Sequence, residues 1–284
     1  MFKPFSVMLQ YLLPRTGLTE LAGKLAHLHG GKYTTAVIRW FIKRYQVNMQ
    51  EAANPDIASY TTFNAFFTRA LKPGVRPLAD ATQICPVDGA ISQLGRITQG
   101  QIFQAKGHQY STRALLGGNT EMAQTYENGQ FATIYLSPRD YHRIHMPCDG
   151  KLLSMTYVPG DLFSVNPTTA ANVPGLFARN ERVICEFENT EGKFVLVMVG
   201  ATIVGSMGTT WHGIINPPRS GDIRTWDYRK YNRILKQGDE MGRFLLGSTV
   251  VLLYPASASL EFQSDWQPAR QVRLGEAMAQ KKPA

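Results

Sequence analysis

A long apolar run near the C-terminus constrains this 284-residue chain more than any other feature. The run extends from Phe244 to Leu253 and has the composition of a buried β-strand, but a Gly247-Ser248-Thr249 insert interrupts it. Glycine weakens a strand interior and often marks a bend or a close backbone approach. Because Gly247 has no side chain, its carbonyl is open to attack, and the nearest nucleophile is the hydroxyl of Ser248. The pattern suits a chain that cuts itself between these two residues, although most such triplets are turns or bulges.

Two other segments contain the groups that a self-attacking serine needs. A serine hydroxyl is a weak nucleophile at neutral pH, so it needs a base, usually His, and a third group such as Asp that holds the base. The segment Cys85–Ile91 contains Asp88, and the segment Ser137–Gly150 contains His145. Asp88, His145 and Ser248 therefore form a candidate charge relay in that chain order. The alternative for Asp88 is a turn aspartate.

Seven segments, in family order, give the chain its resemblance to the bacterial phosphatidylserine decarboxylases, which are pyruvoyl-dependent, membrane-associated lyases. The block that contains the histidines and the Leu-Gly-Ser-Thr block are highly specific together. The resemblance is weakest over the first 50 and the last 25 residues. The matching segments are residues 66–69, 86–89, 106–111, 137–150, 177–182, 199–205 and 241–249.

The resemblance implies a zymogen of phosphatidylethanolamine biosynthesis. Its Ser248 hydroxyl, helped by His145 and Asp88, is expected to attack the preceding carbonyl and form an ester in place of the amide. Elimination then breaks the ester and leaves a dehydroalanine at position 248, and water replaces its nitrogen, which leaves as ammonia, to give a pyruvoyl group. The products are a β chain, residues 1–247, and an α chain, residues 248–284, which remain associated. The covalent pyruvoyl group is expected to form a Schiff base with phosphatidylserine and to accept the electron pair as CO₂ leaves, the task that pyridoxal phosphate performs in other decarboxylases.

The resemblance also gives a role to His142, which matches a histidine associated with the decarboxylation stage. Because histidine titrates near neutral pH, His142 is a candidate proton donor to the carbanion. The alternative is a structural histidine that supports its loop. His142, His145 and Cys148 together lack a fourth ligand at metal spacing, so we expect no metal. No lysine or phosphate loop indicates a site for pyridoxal phosphate.

We interpret most of the other polar side chains near these segments as structural rather than catalytic. Asp140 and Asp149 are rival carboxylates that we interpret as turn or cap residues. Cys148 is interpreted as a small buried filler rather than a nucleophile. Nothing in the sequence assigns a role to His108 or His212.

The charge of the chain is concentrated at its N-terminus. The net charge is +9, and residues 1–50 contain seven Lys or Arg and one Glu. A basic segment implies an anionic partner, either nucleic acid or an acidic membrane surface. Sparse basic residues over 80–205 and the lack of a nucleic-acid fold signature disfavour nucleic acid. The lipid substrate implied by the resemblance favours an anionic membrane that contains phosphatidylserine.

The remaining sequence signals concern location. No secretory signal and no apolar stretch of 18 or more residues is recognisable, so a membrane span is not expected. The three scattered cysteines fit a reducing compartment. We therefore expect a protein peripheral on the cytoplasmic face of the cell membrane. The oligomeric state is not fixed by the sequence, and a homodimer stays open.

The hydrophobic patterns predict an α+β fold, with an N-terminal helical, membrane-associating region before a β-rich catalytic domain. Apolar residues recur at helical spacing over 5–12, 18–28 and 37–45, and shorter helices are predicted over 62–71 and 110–116. The Pro- and Gly-containing segment 72–77 suggests a boundary between residues 1–75 and 76–284. Five strands are then predicted, at residues 90–95, 131–136, 183–187, 194–199 and 245–254.

Two other functions stay open at this stage. A serine hydrolase could use the same three residues on an external ester, although the Gly-x-Ser-x-Gly elbow is absent. A non-enzymatic membrane-binding module could use the basic helices alone.

Overall fold

The computed structural model describes residues 4–202, 206–216, 219, 221–245 and 248–282. Within these residues, the longer helices lie at the N-terminus and the strands follow residue 82, which confirms the predicted α+β class. The helices are α1 (Phe5–Leu12), α2 (Arg15–Ala26), α3 (Lys32–Tyr45), α4 (Phe63–Phe67), α5 (Thr112–Leu115), α6 (Thr120–Thr125), α7 (Pro167–Ala170) and α8 (Leu176–Arg179).

The strands form one large sheet, two smaller sheets and one hairpin. Their bounds are β1 (Gln83–Ile84), β2 (Gly89–Arg96), β3 (Gln101–Ala105), β4 (His108–Ser111), β5 (Gln130–Leu136), β6 (Arg143–His145), β7 (Gly150–Val158), β8 (Arg182–Asn189), β9 (Gly192–Val199), β10 (Met207–Thr209), β11 (Gly213–Ile214), β12 (Arg224–Asp227), β13 (Ile234–Leu235), β14 (Glu240–Phe244), β15 (Ser248–Tyr254), β16 (Leu260–Phe262), β17 (Gln271–Val272) and β18 (Ala277–Lys281).

The N-terminal helices have ordinary local causes. Pro14 separates α1 from α2, since proline cannot continue a helix but is tolerated at a helix start. The α3 helix ends at Gln46, which adopts the left-handed conformation at φ 57°. Thr62 caps α4 by accepting a hydrogen bond from Ala65 N at 3.0 Å. Among the described residues, none of the helices is both long and apolar enough to cross a bilayer.

The large sheet places strand β15 near its centre. Its antiparallel order is β12-β7-β8-β9-β15-β5-β2-β17, and β13 also pairs with β7. Ser248, the first residue of β15, pairs with Leu136 of β5, and Thr249 pairs with Val199 of β9. All seven residues of β15 are buried. A strand paired on both edges and covered on both faces explains the nearly continuous apolar run in the sequence.

The two faces of β15 pack against different layers. Val250 and Leu252 face a core shared with Phe244 of β14 and with Ile144 of β6. Val251 and the other residues of the opposite face enter a core formed with the helices, including α1, α3 and α4. Because side chains alternate along a strand, Ser248 lies on the same face as Val250 and Leu252.

A four-stranded sheet, ordered β11-β10-β14-β6, covers that first face. Strand β6 contains His145, which pairs with Glu240 of β14. The alternation along β15 therefore directs Ser248 toward the layer that carries His145. This second sheet was not predicted, because its strands are only two to five residues long.

The structure corrects several sequence predictions. The predicted helix over 110–116 is a strand as far as Ser111, because β4 pairs with β3, and only then does Ser111 cap α5. Helix α4 ends at Phe67 rather than extending to residue 71, and Leu71 instead bridges to Ala52. Of the predicted strand over 245–254, Ser248–Tyr254 form β15 and Leu245 lies outside a strand, while residues 246 and 247 lie outside the described residues.

Candidate active site

Ser248 lies at the start of β15 and is almost completely buried. Among the residues that the structure describes, its hydroxyl has no hydrogen-bond partner. Leaving a buried polar group unpaired costs about 1–3 kcal/mol, so this hydroxyl is a feature that stability alone does not favour. Gly247, the other residue of the predicted cleavage site, lies outside the described residues.

His142 is held beside the strand that pairs with Ser248. Its Nε2 lies 3.0 Å from the Ser137 carbonyl oxygen, and Ser137 directly follows Leu136, the register partner of Ser248. Because a carbonyl only accepts, Nε2 carries the proton and donates it. The ring stacks on Phe67 with centroids 4.1 Å apart.

The remaining nitrogen of His142, Nδ1, is buried and has no hydrogen-bond partner in the described part of the chain. Burial in an apolar surrounding, together with the nearby charge of Arg69, lowers the pKa of His142 to about 3. The imidazole is therefore neutral at physiological pH and presents an unpaired lone pair at Nδ1. Nδ1 can therefore accept a hydrogen bond from a neighbouring group, but the lowered pKa makes the imidazole a weak base in this structure, in contrast to the near-neutral titration expected from the sequence.

His145 is held in a different way on β6. Its Nδ1 lies 2.7 Å from the Gly238 carbonyl oxygen and therefore donates to it. Its Nε2 then carries a lone pair, which accepts a hydrogen bond from the Tyr141 hydroxyl at 3.1 Å. Burial lowers the pKa of His145 below its usual value, so the base form persists to lower pH.

Asp88 is buried and fully engaged by a neighbouring arginine. Its carboxylate accepts hydrogen bonds from Arg76 Nε at 2.9 Å and from the Leu274 backbone N–H at 2.9 Å. Arg76 in turn donates to Glu51 at 2.7 Å. The paired carboxylates raise the pKa of Arg76 despite its burial. Asp88 is therefore held in place by its ion pair with Arg76.

The structure brings the predicted residues into one region without joining them by hydrogen bonds. The backbone N–H of His145 donates to the Pro86 carbonyl at 2.9 Å, which holds β6 beside the segment of Asp88. The Phe244 N–H donates to the His142 carbonyl at 3.0 Å, which holds the end of β14 beside that histidine. Among the described residues, the side chains of Asp88, His145 and Ser248 form no direct hydrogen bond with one another.

The rival side chains have structural partners. Asp140 accepts hydrogen bonds from the Ser137 N–H and hydroxyl, each at 2.7 Å, as a turn aspartate does. Asp149 binds Lys236 at the surface. Cys148 is buried, and desolvation raises the pKa of its thiol to about 12, which makes it a poor nucleophile. The Nδ1 atom of His212 lies 3.1 Å from the hydroxyl of Tyr228 in an exposed loop.

Sequence reasoning missed the residues that orient these groups. Tyr141 lies within the segment 137–150, but no spacing rule predicts that its hydroxyl contacts His145. Arg76 lies in the segment interpreted as a break, and its contact with Asp88 depends on the tertiary fold. The described residues contain no group of three or more His, Cys, Asp or Glu side chains that could hold a metal ion.

Comparison with known proteins identifies the family. The model of the family described as phosphatidylserine decarboxylase matches residues 63–280, and a second model, described as PSD, matches residues 5–46. A phosphatidylserine decarboxylase proenzyme of Methylobacillus flagellatus is 75% identical over 278 residues, which cover 98% of this chain and 99% of the relative. Proenzymes of the same name from Acidovorax ebreus and Dechloromonas aromatica are each 68% identical, with 96% of both chains covered. The chain therefore belongs to the phosphatidylserine decarboxylase family.

Proposed function

We propose that this chain is a proenzyme that cuts itself between Gly247 and Ser248 and then decarboxylates phosphatidylserine to phosphatidylethanolamine and CO₂. The family match supports the reaction. The observation that carries the site assignment is the buried Ser248 hydroxyl, which lacks a hydrogen-bond partner at the start of β15. Other buried polar atoms of the described residues also lack a partner, among them the Thr249 hydroxyl, so the assignment combines this hydroxyl with its place in the Leu-Gly-Ser-Thr block.

The proposed maturation uses the residues of the two packed sheets. The Ser248 hydroxyl attacks the preceding carbonyl, and His145 accepts its proton at Nε2, the nitrogen that the Gly238 contact leaves unprotonated. Tyr141 occupies that nitrogen in the uncut chain, so its hydroxyl must move away or pass the proton on. Asp88, which Arg76 holds in place, is proposed to stabilise the positive charge that develops on the imidazole.

The residue left at position 248 is proposed to be a pyruvoyl group, which supplies the electron sink that amino-acid side chains lack. The site fits such a group, because Ser248 is buried among apolar side chains and begins a strand paired on both edges. His142 holds an unpaired Nδ1 lone pair beside the neighbouring strand. We therefore propose that His142 moves the proton during decarboxylation, with Phe67 fixing the plane of its ring.

Residues 1–75 are proposed to bind the membrane surface. Large apolar side chains of α1 to α3 are exposed to solvent, among them Phe5 at 79%, Leu12 at 82% and Trp40 at 60%. Exposed apolar patches of this kind mark interaction sites, and basic residues beside them suit an anionic bilayer. We place the enzyme on the cytoplasmic face, which is supported by three free, buried cysteines.

The direct test of the site is the Ser248→Ala variant. We expect a full-length chain without decarboxylase activity, because alanine lacks both the nucleophile and the precursor of the carbonyl. Ser154→Ala, which removes a buried hydroxyl on β7, is the matched control and should split as the wild type does. Normal splitting of Ser248→Ala on a denaturing gel would refute the assignment. Turnover of an external ester by an uncut wild-type chain would instead support a serine hydrolase.

A further inference from the structure

A cavity of about 800 Å³ lies between helix α2 and the chain segment that leads into β15. We call it the α2 cavity. Its lining includes Lys24 of α2, Asn64 of α4, Ser206 and Leu245. Cavities that bind small molecules typically measure about 300–1,000 Å³, so the α2 cavity is large enough for a lipid headgroup.

One wall of the α2 cavity lies close to the proposed site of self-cleavage. The Leu245 N–H donates to the Ser206 carbonyl at 3.0 Å, and Leu245 precedes Ser248 by three residues. On another side, helix α4 supplies both Asn64, which lines the cavity, and Phe67, which stacks on His142. A molecule in the cavity is therefore close to the strand start that holds the reacting residue.

Asn64 provides the first sign of a polar ligand. The residue is 4% exposed, and its side-chain Oδ1 is buried without a hydrogen-bond partner among the described residues. A buried amide oxygen lacks only a donor, and adding one recovers about 1–3 kcal/mol. The ammonium group of a serine headgroup carries three N–H donors and matches this acceptor.

Charge at the cavity provides the second sign. Lys24 is exposed on the α2 wall, with the acidic Glu20 one turn before it. Arg219 also lines the cavity and forms an ion pair with the buried Glu181 at 2.7 Å. Because Arg219 is paired with Glu181, Lys24 is the cation of the wall that we assign to a phosphate group, beside Glu20, which also lines the cavity.

We propose that the α2 cavity binds the headgroup of one phosphatidylserine molecule, with Asn64 Oδ1 accepting a hydrogen bond from the serine ammonium and Lys24 contacting the phosphate. Helix α2 then serves two purposes, because it faces the bilayer and also forms one wall of the substrate site. The inference rests on the proposed function for the identity of the lipid.

The test measures binding without catalysis. Dihexanoyl-phosphatidylserine, used below its micelle concentration, is titrated by calorimetry into the Ser248→Ala chain, which is expected to stay unsplit. In that background, Asn64→Leu should weaken binding about tenfold or more, because the ammonium loses its acceptor. Asn64→Asp keeps an acceptor at the same position and should retain binding.

A second lipid isolates the group that Asn64 recognises. Dihexanoyl-phosphatidylcholine has no N–H donor, so Asn64→Leu should leave the affinity of the protein for this lipid unchanged. The ratio of the affinity for phosphatidylserine to that for phosphatidylcholine should therefore fall. An equal loss of affinity for both lipids, with an unchanged melting temperature, would overturn the role of Asn64.

Lys24→Gln tests the phosphate contact at an exposed position where the change does not disturb the core. It should lower the binding affinity for both lipids by about two- to fivefold, the range for an exposed ionic contact. Lys43→Gln, which removes the same charge from α3 outside the cavity, should leave the binding of soluble lipid unchanged. Equal effects of the two lysine variants would overturn the phosphate site.

Kinetics of the matured enzyme separate this inference from the proposed function. Asn64→Leu introduced alone should still split and should raise KM for phosphatidylserine more than it lowers kcat. Failure of the wild type to split or to decarboxylate would remove the proposed function but leave the binding measurements standing. Splitting with normal activity in Asn64→Leu, combined with unchanged binding, would overturn the inference alone.

Discussion

At the residue scale, two histidines three positions apart have opposite protonation patterns. His145 donates from Nδ1 to Gly238 and keeps its lone pair on Nε2. His142 donates from Nε2 to Ser137 and keeps its lone pair on Nδ1. Because the free nitrogen of His145 contacts Tyr141 and that of His142 has no partner, the two residues suit different steps. This difference supports separate roles in maturation and in decarboxylation.

The pH dependence of self-cleavage tests the role of His145. Burial lowers its pKa, so the neutral base persists below pH 6.5. We expect the rate of splitting, followed on gels, to stay constant through pH 6.5 and to fall only at more acidic pH. His145→Ala should slow splitting by about 10²-fold or more, a typical contribution of a general base. His212→Ala, a change in an exposed loop, is the control and should split normally.

The separation of the two steps tests His142. We expect His142→Ala to split into two chains but to decarboxylate about 10²-fold more slowly, because the proton-transferring nitrogen is lost. Gel analysis reports the first result and release of CO₂ reports the second. An unsplit His142→Ala chain of normal melting temperature would move this residue into the maturation step.

At the element scale, the strands of the large sheet around β15 were predictable, and the second sheet was not. The apolar run of β15 identified a buried strand, since most residues of a strand covered on both faces are apolar. By contrast, β6 and β14 are short and contain charged residues, so no local pattern reveals that they pair. The contact between His145 and Gly238 depends on that pairing and joins residues 93 positions apart. The sequence therefore predicts which groups react, but it does not predict what orients them.

Strand β15 also explains why the two chains should remain together after cleavage. Residues of the proposed α chain pair with β5 on one edge and with β9 on the other, and both partners belong to the β chain. We expect the two pieces to co-elute in native size-exclusion chromatography and to separate only in denaturant. Leu252→Ala should lower the free energy of unfolding by about 2–5 kcal/mol, because it leaves a cavity in the core. Separation of the wild-type pieces without denaturant would contradict this account.

At the scale of the whole molecule, the exposed apolar side chains and the basic residues share the N-terminal helices. Lys32, Arg39 and Lys43 are exposed on the same segment as Tyr33 and Trp40. Basic residues near an anionic surface contribute about 1 kcal/mol each, and salt screens that attraction. The charge distribution was evident from the sequence, but the exposure of these apolar residues required the fold.

Vesicle flotation tests this membrane surface. The protein should float with vesicles that contain phosphatidylserine, float less with phosphatidylcholine alone, and lose part of its binding at high salt. Trp40→Ser should weaken flotation. Trp266→Ser, which removes a buried tryptophan in the β-rich region, should leave flotation unchanged. Equal flotation with both vesicle types at every salt concentration would contradict the electrostatic part of the proposal.

The central claim is that the chain converts its own Ser248 into the carbonyl group that it uses on its substrate. Intact-mass analysis of freshly purified, active wild-type protein tests it most directly. The account predicts two polypeptides, residues 1–247 and 248–284, with the mass of the second lowered by conversion of its first residue to a pyruvoyl group. Active protein that consists of one unbroken chain with an unmodified serine at position 248 would contradict the account.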